Sequence, residues 1–185
     1  MAAFQGHDVV IVPGLHGSGP AHWQSRWERR HTGFRRAVQV DWNVPDLDAW
    51  SDRIDAEISK AASPVLIVAH SFGCLASVHG TCERNSNVAG ALLVAPADPG
   101  KFGLTERLLA RELPYPSILV ASSNDPWMKA ERAAFWARQW GSAFIDAGSL
   151  GHINADSNLG DWDFGWRQLK QLSRLAALNQ VHSQV

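Results

Sequence analysis

Val68-Ala69-His70-Ser71-Phe72-Gly73-Cys74-Leu75-Ala76 joins an apolar run to a small-residue helix through one serine. The run before it, residues 64–69 (PVLIVA), is apolar at nearly every position, as expected of a strand buried on both faces. A serine at the apex of so abrupt a strand-to-helix turn exposes its hydroxyl. The residues two before and two after must then be small, because the chain crosses itself there. Gly73 meets that demand, and Ala69 stands where a glycine is usual, as the next smallest choice. The helix that follows aims backbone N–H groups and the positive end of its dipole at the serine. A serine that merely caps a helix is the plainer alternative, but a strand before and a helix after are the context an exposed nucleophile needs. Ser71 is therefore the candidate nucleophile.

Working outward, similar runs occur at 8–12 (DVVIV), 37–42 (AVQVDW), 88–95 (VAGALLVA), 116–121 (PSILVA) and 142–147 (SAFIDA). Amphipathic segments lie between them. Leu47, Trp50, Ile54 and Ile58 follow at i, i+3, i+7 and i+11, with Asp and Arg residues filling the opposite face. Pro20 suits the first turn of a helix that carries Trp23 and Trp27 at i, i+4. Trp162, Trp166, Leu169 and Leu172 make a further stripe near the C-terminus. Six strands, each followed by a helix, predict a compact α/β fold with a mostly parallel six-stranded sheet and helices on both faces. In such sheets the site lies beyond the carboxyl ends of the strands, so the residues just after each strand decide the chemistry.

After the first run comes Pro13-Gly14-Leu15-His16-Gly17-Ser18-Gly19-Pro20. Its glycines let backbone approach a substrate, and Leu15 N–H is expected to pair with Phe72 N–H as donors to an oxyanion. A phosphate cradle is the rival reading of a Gly-rich loop, but neither G-x-G-x-x-G nor G-x-x-x-x-G-K-[ST] is present. After the last run, Gly148-Ser149-Leu150-Gly151-His152 puts a histidine on a Gly-rich loop able to swing over Ser71. His152 is the candidate general base. Asp125 follows the fifth run and precedes Pro126; it is favoured as the acid that orients the imidazole, and it could also cap a helix. Asp98, after the fourth run, competes for that role. Asp146 falls inside a strand, and Asp156 and Asp161 come after the histidine. His70 is expected to pack under the turn, pointing away from the hydroxyl. His16 and His22 could approach the pocket.

The chain has 185 residues, 45% of them hydrophobic, which suits one domain over 1–185. Its net charge of −1 argues against a nucleic-acid partner, which needs a basic stripe. No apolar run approaches the ~20 residues of a membrane span, and the N-terminal MAAFQGHD does not read as a secretory signal. Cys74 and Cys82, placed eight apart on one helix, stand about 12 Å apart, too far for a disulfide. Unpaired thiols fit a cytoplasmic location. No HxH, HExxH or Cys cluster has metal-ligand spacing, so no metal and no cofactor are expected.

Taken together, these motifs resemble the family of small serine hydrolases that contains retinoblastoma-binding protein 9 and its bacterial relatives. The carriers span nearly the whole chain. They are Val12-Pro13-Gly14 with Gly17-Ser18 and His22-Trp23, the Asp41-Trp42 strand end, and His70-Ser71-Phe72-Gly73. Val94-Ala95-Pro96-Ala97-Asp98, Ser123-Asn124-Asp125-Pro126, Gly151-His152-Ile153-Asn154 and the Asp161-Trp162 helix start complete the set. The resemblance implies a compact α/β-hydrolase fold with a triad of Ser71, Asp125 and His152. It also implies esterase, amidase or peptidase-like activity on a small-molecule ester or amide. The L-x-C-x-E pattern tied to retinoblastoma binding is absent, since Glu83 directly follows Cys82, and that partner is not carried over.

Residues 97–115 have room for one short helix, around 104–111, so an open site without a large cap domain is expected. Trp23, Trp127 and His16 are candidate pocket walls. Such a site suits small uncharged acyl groups. An acyltransferase, or a protein-interaction module with little turnover, is the alternative use of the same fold.

Overall fold

The structure is a computed structural model that describes residues 4, 6–82 and 87–182. The β-branched runs become strands β1 (Asp8–Val12), β3 (Val65–His70), β4 (Val88–Val94), β5 (Ser117–Ala121) and β6 (Ala143–Asp146). With β2 (Phe34–Arg36) they form one six-stranded sheet in the order β2-β1-β3-β4-β5-β6, and every pairing is parallel. Helices α1 (Trp23–Arg30), α2 (Leu47–Ile58), α3 (Phe72–Thr81), α4 (Thr105–Leu108), α5 (Ala130–Gln139) and α6 (Asp163–His182) follow the strands in turn.

Strand alternation divides the core into two layers. Val10, Ile67, Ala69 and Leu93 face α2, α3 and α5. Val9, Leu66, Val68 and Leu92 face the opposite way, against Trp23 and Trp27 of α1 and Leu169 and Leu172 of α6. All four stripe residues of α2 are buried. Helices thus cover both faces, as the strands' near-continuous apolar character requires.

Three boundaries differ from expectation. Residues 37–42 are not a strand; the edge strand is Phe34–Arg36, immediately before them. Its two arginines are tolerated because the edge leaves room to pair them. Arg36 meets Glu28 and donates to Ser18 O, while Arg35 donates to Lys60 O and Glu57 O. Beyond Ala37 no sheet partner remains, and Val38 and Val40 are 57% and 83% exposed, so their alternation reflects no sheet face. Pro20 lies ahead of α1, whose N-cap is His22, and α6 begins at Asp163, just after Trp162. Cys82 caps the end of α3; it and Cys74 are both free. Glu83 lies outside the described residues.

Between β4 and β5 stand only a 3₁₀ turn at Pro99–Phe102 and the four-residue α4, so no large cap covers the sheet. Among the described residues no helix is long and apolar enough to cross a membrane. The strand order reverses between β1 and β3, which opens a crevice at their carboxyl ends. The Gly14–Leu15 loop and Ser71 both lie at that crevice.

Candidate active site

Ser71 sits between β3 and α3 with φ 53° and ψ −124°, a conformation that L residues seldom adopt. Close chain crossing explains it. A β-carbon on Gly73 would lie 2.6 Å from Val12 O and closer still to Pro13 O, so only glycine fits there. Strain held in this way exposes the serine hydroxyl at the head of the sheet.

Ser71 Oγ is 3.0 Å from His152 Nε2, and His152 Nδ1 is 2.9 and 3.1 Å from the two Asp125 carboxylate oxygens. A carboxylate only accepts, so Nδ1 carries the proton and Nε2 is free to accept from the hydroxyl. The Asp125 side chain is 3% exposed and also accepts from Trp127 N–H at 2.8 Å. That bond closes a turn rather than capping a helix, since α5 begins only at Ala130 with Lys129 as its N-cap.

The histidine loop is fixed rather than free to swing. Leu150 N–H donates to Ser122 Oγ and Gly151 N–H to Asn124 Oδ1, at 2.9 and 2.7 Å. Ser123 N–H donates to Gly148 O, and Ser157 Oγ donates to Leu150 O. Residues 122–125 thus hold both the carboxylate and the loop that carries the imidazole. The sequence carries no signal for the roles of Ser122 and Asn124, because polar residues after a strand indicate no more than a turn.

Asp98 is occupied elsewhere. It accepts from Arg132 Nε at 2.6 Å and from Gly100 N–H at 2.9 Å. Burial works against its ionisation, but these bonds and the Arg132 and Lys101 charges hold it below the usual carboxylate range. It lines the cavity wall without touching His152.

A cavity of about 420 Å³ opens over Ser71, with Leu15, Ala97, Phe102, Trp127 and Ala155 as its apolar lining. Gly17 N–H bonds to Gly14 O and His16 N–H to Trp42 O, shaping the loop around Leu15. Among the described residues neither Leu15 N–H nor Phe72 N–H donates to a protein acceptor. His16 lines the cavity, exposed, with Nδ1 2.9 Å from Asn43 Oδ1. Trp127 lines it too, 57% exposed, its ring 6.4 Å from that of His152 and under Lys101 Nζ at 5.3 Å. Trp23 does not line it. That side chain is 1% exposed and donates from Nε1 to Ile153 O at 2.8 Å, from behind the histidine loop. Helical spacing shows that Trp23 faces the sheet but not how far below the rim it lies.

Two further histidines stand in the cavity wall. His22 is 4% exposed, and burial, then the charges of Arg36 and His152, push it from 6.5 to about 3. Its Nδ1 accepts Gln24 N–H at 3.2 Å, which caps α1. His70, 5% exposed, does not turn away beneath the serine; its Nε2 lies 2.9 Å from the main-chain oxygen of His152.

The serine hydrolase family model matches residues 9–171. The chain is similar, at 41% identity and a TM-score of 0.87, to a YdeN-like hydrolase from Pectobacterium atrosepticum, covering 95% of this chain and 94% of that one. Two more distant likenesses bear on the fold alone. The ydeN gene product of B. subtilis is 19% identical, with a TM-score of 0.72 over 91% of this chain and 98% of that one. An esterase domain from Rhodothermus marinus is 13% identical, with a TM-score of 0.61 over 92% and 87%. No curated protein matches the chain. With a serine lining the cavity at the strand-order reversal, a family match over most of its length and a close structural relative, the chain belongs to the small serine hydrolases of the α/β-hydrolase superfamily.

Proposed function

We propose that this hydrolase cleaves small carboxylic esters or amides through an acyl-enzyme, with Ser71 as nucleophile, His152 as general base and Asp125 as the orienting acid. Ser71 Oγ attacks the substrate carbonyl while His152 Nε2 takes its proton. Leu15 and Phe72 N–H groups stabilise the oxyanion that forms. Collapse of the tetrahedral adduct breaks the bond to the alcohol or amine, which leaves with the proton from His152. Water then repeats the sequence on the acyl-serine, releasing the carboxylic acid and restoring Ser71. Asp125 holds the imidazole tautomer and offsets the imidazolium charge throughout.

The observation that carries this reading is the hydrogen-bonded chain from Ser71 Oγ through His152 to Asp125, at 3.0 and 2.9 Å. The chemistry asks for no metal or organic cofactor. The cavity, about 420 Å³ and apolar along much of its wall, favours small uncharged acyl groups over long lipids. One hydrolase domain over 1–185 and a cytoplasmic location belong to the same reading, the latter supported by the two unpaired cysteines.

Fluorophosphonate labelling tests it. Wild type should label and Ser71→Ala should not, and a series of acyl p-nitrophenyl esters beside aminoacyl amides should show turnover that falls with acyl length. Absence of labelling in the folded protein would favour a binding role. Transfer of the acyl group to an added alcohol in preference to water would favour an acyltransferase.

A further inference from the structure

We propose that His70 is a positioning residue for His152: its imidazole N–H holds the main-chain carbonyl of His152 and so fixes the reach of that imidazole to Ser71. The inference rests on the catalytic reading above and adds a residue that the reaction scheme does not use.

Strand geometry explains how His70 comes to this place. Side chains at 66, 68 and 70 of β3 point to one face, and Leu66 and Val68 belong to the core layer that contains Ile153 and Trp162. The loop carrying His152 crosses that face. His70 Nε2 meets His152 O at 2.9 Å, and the two rings stand 4.9 Å apart at 62°. A carbonyl only accepts, so His70 carries its proton on Nε2 and needs no charge to make the bond. Burial, reinforced by His22 and His152, keeps it neutral.

The neighbouring carbonyl is held from the same side. Ile153, buried and left-handed at φ 47°, turns its oxygen to Trp23 Nε1. Two ring N–H donors thus fix successive peptide planes on either side of the α-carbon of Ile153. The imidazole of His152 hangs from the first of these planes. Behind His70, His22 packs edge-on at 4.8 Å, locked in one tautomer by the cap it provides to Gln24. Neither histidine competes for the serine proton, because both are held uncharged. Without the His70 donor the 152–153 peptide can rotate, and a displacement on the order of 1 Å at a reacting group costs roughly a hundredfold in rate.

The test compares His70→Gln, His70→Asn and His70→Phe. A glutamine amide reaches the position of Nε2, an asparagine amide stops short, and phenylalanine keeps the ring without the donor. On the best ester from the substrate series, His70→Gln should keep kcat within about threefold of wild type. His70→Asn and His70→Phe should lose tenfold to a hundredfold in kcat, by the same displacement argument, with KM changed less than twofold and slower fluorophosphonate labelling. If His70→Phe does not fold, the Gln and Asn pair decides alone. Equal kcat in those two variants, or losses shared by KM in proportion to lost thermal stability, would overturn the assignment and leave His70 a packing residue. A wild type that neither labels nor turns over would fail the catalytic reading itself, which these ratios keep separate.

Discussion

The backbone of Gly14 lies so close to Ser71 that a β-carbon on Gly14 would stand 2.6 Å from Ser71 Cβ and 3.3 Å from its Oγ. The loop that presents Leu15 N–H and the turn that presents the serine are therefore one close-fitted unit. Neither partner can yield cheaply, since the contact is with Cβ and with His70 O rather than with a flexible side-chain end.

Gly14→Ala should accordingly fold but lose activity through displacement of Ser71. A shift near 1 Å predicts about a hundredfold fall in kcat/KM. Steady-state kinetics beside a thermal melt checks this, and retention of half the activity in a folded protein would show that the loop yields more easily than the geometry implies.

Asp125 and Asp98 are separated by their partners. Asp125 faces His152 Nδ1, whereas Asp98 is taken up by Arg132 and Gly100. Asp125→Asn would present an amide that can donate to Nδ1 and favour the wrong tautomer. A loss of about 10⁴ in kcat is expected by analogy with the same change in a serine protease. Asp98→Asn should cost less than about tenfold, as no reacting group depends on it. A larger loss in the Asp98 variant would transfer the acid role.

Gln24 ties the two site-bearing strands together from beneath. Fully buried, it donates from Nε2 to Val12 O at 3.2 Å and Val68 O at 3.0 Å, and accepts from Ser18 Oγ. Gln24→Leu removes the second hydrogen bond of two carbonyls that the β1–β3 pairing still engages, and leaves the Ser18 hydroxyl short of its acceptor. At roughly 1 kcal/mol for each of the three hydrogen bonds lost, a destabilisation of about 3 kcal/mol follows. Urea unfolding monitored by tryptophan fluorescence reads it directly; a midpoint within error of wild type would mean that these three bonds add nothing to what the sheet pairing supplies.

How far these relationships can be read in the sequence depends on their range. Apolar runs buried on both faces announce β1, β3, β4 and β5, and with them a covered parallel sheet. That Ser71, Asp125 and His152 meet follows from each standing just after a strand, because parallel strands bring their carboxyl ends to one rim. The edge strand Phe34–Arg36 gives no such signal: two of its three residues are arginines, and ion pairs made elsewhere in the fold keep them there. The places of His70 and Trp23 escape local spacing for a related reason. Their positions depend on the path of residues 148–154, some eighty and a hundred and thirty positions away, and local spacing carries no record of that path.

Acid should destabilise the fold well before the carboxylates are protonated, and the buried histidines set the sign. His22 falls from 6.5 to about 3 in the folded state, His70 falls well below 6.5, and both shifts arise first from burial. Between these limits the unfolded chain binds protons that the native chain does not, so stability rises with pH and is lost as pH falls from about 6.5. Each such histidine adds a slope of about 1.4 kcal/mol per pH unit once its unfolded form is protonated. His7 and His31 shift the same way on partial burial and add to the trend. The lowered carboxylates of Asp98 and Asp48 act in the same direction, but only below 3.8, where their unfolded forms take up protons. Urea midpoints measured from pH 7 to 4 should fall steadily, and His22→Asn, which keeps an acceptor for Gln24 N–H, should flatten the slope by up to one proton. A wild-type profile level from pH 6 to 4.5 would mean that these imidazoles are protonated in the native state, and the neutral stack behind His152 would not exist.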